Sequence, residues 1–303
     1  MANLIFKKEV ELYLVHDSKK YKIDINEIEF SQSFQEKSYE VKTLHNQVGF
    51  EGSNINRANP AEFSFNTPLL EEARHEVVFD RLLDCTTFDL YISSGQDVFK
   101  LEKCVIQDGT FEINKSRPLR LSISGEASKL SKFSGSIPGT LQEGDEYDTT
   151  TYIIPKVNTL TIGGTDISSS ITALSVEVQN DISWNNYNTI QGAVTATNAA
   201  TSMFPNNFTI GTRVVAGSIT KYLKGTTLTD SVGSADLLTW DTDTALRLKA
   251  WNSSNKGVDF NITNCSFTNR FQESGIFLEE YSWRMTQRPT AAQLTDTVIK
   301  YIT

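Results

Sequence analysis

Three histidines and three cysteines are the whole supply of imidazole and thiol in this chain of 303 residues. His16, His45 and His75 stand on separate stretches, and none falls within a nucleophile or metal-ligand motif. Cys85, Cys104 and Cys265 are odd in number and far apart, so neither a disulfide framework nor a zinc site is indicated. They read as small buried hydrophobes. Acid pairs remain. Glu71-Glu72 and Glu279-Glu280 invite comparison with the two carboxyls that flank a scissile glycosidic bond. Both have simpler explanations: the first pair suits the opening turn of a helix, and the second sits on a strand with one residue on each face. No phosphate loop, nucleophile elbow or dinucleotide fingerprint occurs. The expectation is a protein with no catalytic, cofactor-binding or metal-binding residue, and not an enzyme.

What positions side chains in this chain is mostly strand. Alternation runs through Ile28-Glu29-Phe30, Phe63-Ser64-Phe65, Phe88 to Ile92, Leu119 to Ile123 and Val176-Glu177-Val178, as in half-buried antiparallel strands. One stretch breaks the period: from Pro68 to Cys85 the apolar residues fall at helical spacing. Thr67 suits a cap, Pro68 the first helical position, and Glu71 and Glu72 the first turn. A second short helix is expected over Ser234 to Trp240. No apolar run approaches the roughly 20 residues of a membrane helix, and the N-terminal MANLIFKKEVELYLV reads as a strand, not a leader. Net charge is −9 with no basic block, which excludes a protein that grips nucleic acid but not one that lets it slide past.

The two halves resemble each other at a spacing of about 160 residues, as repeated units do. Cys104 answers Cys265 and Phe111 answers Phe271; Leu119–Ser124 answers Leu278–Trp283. Residues 28–41 answer 176–189. Between the halves, Ser, Gly, Thr and acids with Pro138 and Pro155 mark a connection, or an extended arm lying on a neighbour. The expected fold is mainly β, with two tandem sandwich or barrel domains at 1–130 and 156–303, a linker at 131–155, and a short helix packed on each sheet.

The hairpin IEFSQSFQEKSYEV, the stretch NQVGFEGSNINRANP (46–60) and the AEFSF strand after it resemble the tail tube proteins of long-tailed, siphovirus-type bacteriophages, in the variant with two fused tube domains. In the second half VEVQNDISW and GSITKYL carry the likeness. The resemblance implies a structural virion protein of the tail, assembled in the bacterial host cytoplasm. It implies homotrimeric, pseudo-hexameric rings stacked into a tube for DNA ejection. The implied partners are further copies of the chain and other tail proteins (tape measure, tail terminator, distal tail). Double-stranded DNA would pass without specific binding, and no membrane or cofactor is involved. Four strands from each of six domains would close a barrel of about 24 strands and a channel of roughly 35–40 Å, enough for duplex DNA. The rival readings are a distal tail or baseplate hub ring protein of a phage, and a carbohydrate-binding β-sandwich module.

Given that tube, alternation assigns a lumen-facing set: Glu27, Glu29, Ser31, Glu40 and Lys42 in the first half, and Glu177, Gln179, Asp181 and Ser183 in the second. The plain alternative is a solvent-facing sheet. Residues 46–60, with Phe50, Asn54 and Arg57, are expected to form a ring-stacking contact loop or else an ordinary surface loop. The stretch 187–207, with Met203-Phe204-Pro205, occupies the matching place in the second half.

Overall fold

The computed structural model describes residues 10–41, 50–69, 76–95, 97–114, 117–142, 153–154, 156–168, 171–185, 203–222, 244–273, 277–286 and 299–302. The second expected helix, Lys42, His45, His75, Glu71 and Glu72 lie outside them. The fold is mainly β, with one short helix among the described residues. The first half runs β1 (Glu11–His16), β2 (Lys19–Ile23), β3 (Glu27–Ser31), β4 (Phe34–Val41), β5 (Phe50–Ala58), β6 (Ala61–Pro68), α1 (Glu76–Asp84), β7 (Phe88–Ser93), β8 (Val98–Asn114), β9 (Arg120–Ala127), β10 (Lys129–Phe133) and β11 (Thr140–Leu141). The second runs β12 (Lys156–Ile162), β13 (Thr165–Asp166), β14 (Ile171–Asn185), β15 (Asn207–Tyr222), β16 (Thr244–Trp251), β17 (Gly257–Glu273), β18 (Phe277–Met285) and β19 (Ile299–Ile302). No helix among the described residues is long and apolar enough to cross a membrane.

The long strands β8 and β17 organise everything else. The first part of β8 pairs with β7 on one side and β10 on the other; β7 carries β1, and β1 carries β2. Its second part pairs with β9, then β6, then β3. The second half repeats this ladder. There β17 pairs with β16 and β19 early and with β18 late, β16 carries β12 and β13, and β18 carries β15 and β14. The two ladders join where the late part of β8 pairs antiparallel with β14, Phe111 opposite Val176. A single strand can serve two layers because bulges re-aim it: Lys103 takes φ 53°, and the register to β9 shifts between Ile106 and Asp108.

The core fills the space between the layers. Phe30 of β3 lies 5.5 Å from Phe99 of β8, Phe63 of β6 lies 6.3 Å from Phe88 of β7, and Phe111 lies 5.3 Å from Phe260 of β17. Helix α1 buries Val77, Val78, Phe79, Leu82 and Leu83 against the sheet, with the Phe79 ring 5.0 Å from Phe111. Thr67 and Pro68 do not open this helix, as the sequence suggested. They end β6, opposite Leu121 and Arg120, beyond the reach of β3, where a strand with one partner tolerates a residue that has no N–H. The connection between the halves is held to the first: Ile153 is fully buried, donating to the Leu69 carbonyl and accepting from the Leu119 amide.

Gly125 marks the tightest point of the first ladder. A Cβ there would stand 2.3 Å from the Val105 carbonyl oxygen and 2.6 Å from the Phe63 ring. Backbone cannot yield cheaply, so Gly125→Ala is expected to destabilise by about 1–3 kcal/mol. Urea titration followed by tryptophan fluorescence would read it, and an unchanged midpoint would refute the packing argument.

Candidate functional site

Each strand of the main ladder alternates, so one face of it is apolar and the other polar. From β3 through β6, β9, β8, β14, β15 and β18 to β17 the registers place one side chain after another on the same outward face. One row reads Glu27, Asn66, Ser122, Thr110, Glu177, Ala216, Arg284 and Ser266. A parallel row holds Glu29, Ser64, Ser124, Asp108 and Gln179, and Ser31 and Glu62 continue it beside Glu126. The eight strands come four from each half.

The chemistry of this face is small, polar and acidic. Carboxylates at 27, 29, 62, 108, 112, 126, 177 and 280 outnumber the arginines at 120, 270 and 284. Partial burial pushes the Glu126 carboxyl above its ordinary range, and neighbouring Glu62 adds to the effect against a hydrogen bond with Gln107. Hydrogen bonds along the face are short-range: Asn66 donates to Glu27 at 2.7 Å, Ser124 to Asp108 at 3.1 Å, and Gln179 to Glu177 at 2.7 Å. Ser175 and Ser218 share one at 2.8 Å. Nothing here converges on a reacting atom, and the described residues hold no cluster of three or more metal-ligating side chains. The one described histidine, His16, is spent on contacts, with Nδ1 3.1 Å from the Thr87 carbonyl and Nε2 2.6 Å from Arg81.

The structure brings Glu27, Glu29, Ser31, Glu177 and Gln179 together on this face. Asp181 and Ser183 are exposed on β14, past the end of its pairing with β8 and either side of buried Ile182. Glu40 is not on the large sheet. It lies on β4, which among the described residues pairs with β5 alone in a separate two-stranded ribbon, opposite Glu51. The stretch expected as a loop at 46–60 is largely β5, so Phe50, Asn54 and Arg57 stand in that ribbon opposite Val41, Lys37 and Gln35. A low apolar content made this strand read as a loop. Members of the face that the sequence reading passed over, such as Asp108, Ser124 and Arg284, carry the same alternation but need the interstrand registers to be placed.

Further contacts fasten the halves beside the β8–β14 pairing. Buried Asn180 donates to the carbonyls of Leu82 at 3.0 Å and Ile106 at 3.1 Å, and accepts from Arg213 Nε at 2.5 Å. Arg213 reaches on to Cys85 Sγ at 2.8 Å, at the left-handed residue that ends α1. Burial raises the Cys85 thiol pKa, opposed by the positive charge of Arg213. Met203 to Asn206, part of the stretch expected at an interface, lie against the first half. The Met203 carbonyl accepts from the Ala58 amide, that of Pro205 from Ser128 Oγ, and Lys103 Nζ meets Asn206 Oδ1 at 2.7 Å. Lys129 sits 5.1 Å from the Phe204 ring centroid.

A model described as the Bacteriophage Baseplate Tube Protein Family matches residues 3–295. No curated protein matches. Among solved structures, one chain of the "Cryo-EM structure of the anti-feeding prophage (AFP) baseplate, 6-fold symmetrised" is similar at 11% identity and a TM-score of 0.35, over 44% of this chain and 97% of that one.

Proposed function

The chain belongs to the bacteriophage baseplate tube protein family, whose members are structural phage proteins and not enzymes, and on that premise we propose that three copies close a ring around a channel. The observation that carries this reading is the eight-strand ladder with one polar face, four strands from each half. Each half would be one tube domain, and three copies supply 24 strands. At about 4.8 Å between strands and a tilt near 40°, 24 strands enclose a backbone diameter of roughly 45–50 Å and a free channel of about 35–40 Å. The polar face lines that channel. Its excess of carboxylates repels a phosphate backbone, which suits a conduit through which DNA moves without sticking.

The family is that of the baseplate tube, so the favoured place is the baseplate end of the tail, as a ring or short stack. A tail-length tube of the siphovirus type, the closer resemblance on sequence alone, stands second. Other tail proteins are the partners in either case. The β4–β5 ribbon, which leaves the main ladder, is suited to reach the adjacent ring through Phe50, Asn54 and Arg57.

Negative-stain electron microscopy of the purified protein over a range of concentrations tests the reading. Isolated rings or short stacks with a channel of about 40 Å are the expected result. Long rods would favour the tail-length tube. Monomers at every concentration, alone and with a neighbouring baseplate protein, would refute ring closure.

A further inference from the structure

The main ladder ends in two edges, and the chain carries inside itself a template for how they meet. At one end β3 pairs with β6 and has no described partner on its other side. At the other, β17 over Ser266–Glu273 has β18 on one side and no described partner on the other. Within the chain the matching edges are already joined, as β8 and β14. Because the second half repeats the ladder of the first, the register of that inner seam can be carried to the outer edges residue by residue.

The alignment is anchored on irregularities that recur. Phe88 faces Cys104 and then, across a bulge, Leu90 faces Leu101; Thr244 faces Cys265 and then, across a bulge, Leu246 faces Ile262. One strand further out, an aromatic ring lies over a glycine in both halves, Phe63 on Gly125 and Trp283 on Gly217, with the strands exchanged. The one-residue bulge of β8 at Gln107 has no counterpart in the regular β17–β18 pairing. With it counted, Thr110 corresponds to Arg270 and Phe111 to Phe271, while Val176 corresponds to Phe30 and Glu177 to Ser31.

We propose that β17 pairs antiparallel with β3 of a second copy in the register Arg270 to Ser31, which sets the Arg270 guanidinium beside Glu29 of that copy. The inner seam places Thr110 opposite Glu177 and Glu112 opposite Ser175. The outer seam then places Arg270 opposite Ser31 and residue 272 opposite Glu29. Arg270 and Glu29 are diagonal neighbours on the same polar face, a separation an arginine spans. No such cation stands at the inner seam, so the charge pair distinguishes the joint between chains from the joint within one. Each chain offers one edge of each kind. The contact is therefore head-to-tail and ends only when a ring closes, which also removes the exposed edges.

This inference rests on the ring reading above, and its test separates the two. Ser31 and Arg270 are exposed, and the three native cysteines are buried, with Cys265 pushed up to about 12 by burial, so introduced cysteines oxidise without competition. Assembled full-length protein carrying Ser31→Cys and Arg270→Cys is expected to form covalent oligomers, including a closed species, on denaturing gels. Pairing Arg270→Cys with Glu27→Cys instead should give less than about a tenth of that yield, because the partners are four residues out of register. In a second experiment Arg270→Glu should raise the protein concentration needed for rings about tenfold, since every seam then sets like charges together. Adding Glu29→Arg should restore it to within about threefold. Rings on the grid with cross-links only through position 27, or no rescue by Glu29→Arg, would overturn the register and leave the ring intact. Folded monomers with no rings and no cross-links would overturn both.

Discussion

Glu279→Leu is expected to cost the folded protein about 3–5 kcal/mol, whereas the double variant Lys221→Met, Glu279→Leu should recover most of that loss. Lys221 and Glu279 are 2% and 0% exposed and meet at 3.2 Å on the apolar side of β15 and β18, where they face each other in register. Asn269 donates to the other carboxylate oxygen at 3.0 Å, and the ammonium lies 5.6 Å from the Tyr281 ring centroid. Bringing both charges out of water is expensive, and their attraction only balances that cost. Removing one leaves the other charge in the core without its counter-ion. Removing both replaces the pair by apolar volume, which is often neutral. Urea midpoints of the unaltered protein and the two variants decide it. A single variant as stable as the double would mean that the pair is wetter than its burial indicates.

Asn180→Leu is expected to lower stability by about 2–4 kcal/mol, since it strands two buried carbonyls and the Arg213 guanidinium together. The more specific sign is the shape of the transition. Asn180 of β14 ties the second half to the end of α1 and to the bulge of β8 in the first. With that tie gone the halves are joined by the β8–β14 pairing, the contacts of Met203 to Asn206 with the first half and the packing of Phe111 on Phe260. Calorimetry should then show one cooperative transition split into two. One unsplit transition displaced by less than about 0.5 kcal/mol would show that the remaining contacts couple the halves without Asn180.

Much of the ladder was legible because alternation survives wherever one face is buried. Ile28-Glu29-Phe30 and Val176-Glu177-Val178 lie as their spacing says. Glu279 and Glu280 do face opposite sides of β18, one buried and one on the polar face. The helix start was misplaced because Pro68 fits two environments equally, a first helical turn and a strand end paired on one side, and only the length of β3 decides between them. The stretch 50–58 hid its strand because a ribbon outside the large sheet has no need of an apolar stripe. Lys221 was illegible for the opposite reason: its parity points inward while its charge argues outward, and only its carboxylate partner reconciles them. Bulges such as the one at Gln107 leave no mark in composition, yet they set which residues meet across every strand beyond them.

The β8–β14 pairing has a consequence for how quickly and at what dilution a ring can appear. In the proposed ring of six repeats, three of the six joints are made while each chain folds, at the high effective concentration that a covalent connection provides. Assembly from separate repeats would require five encounters before closure, each losing translational and rotational freedom worth an estimated 4–15 kcal/mol at standard concentration. Linked in pairs, the same ring needs two. The fusion thus moves most of the entropic cost of ring formation from the meeting of molecules to the folding of one.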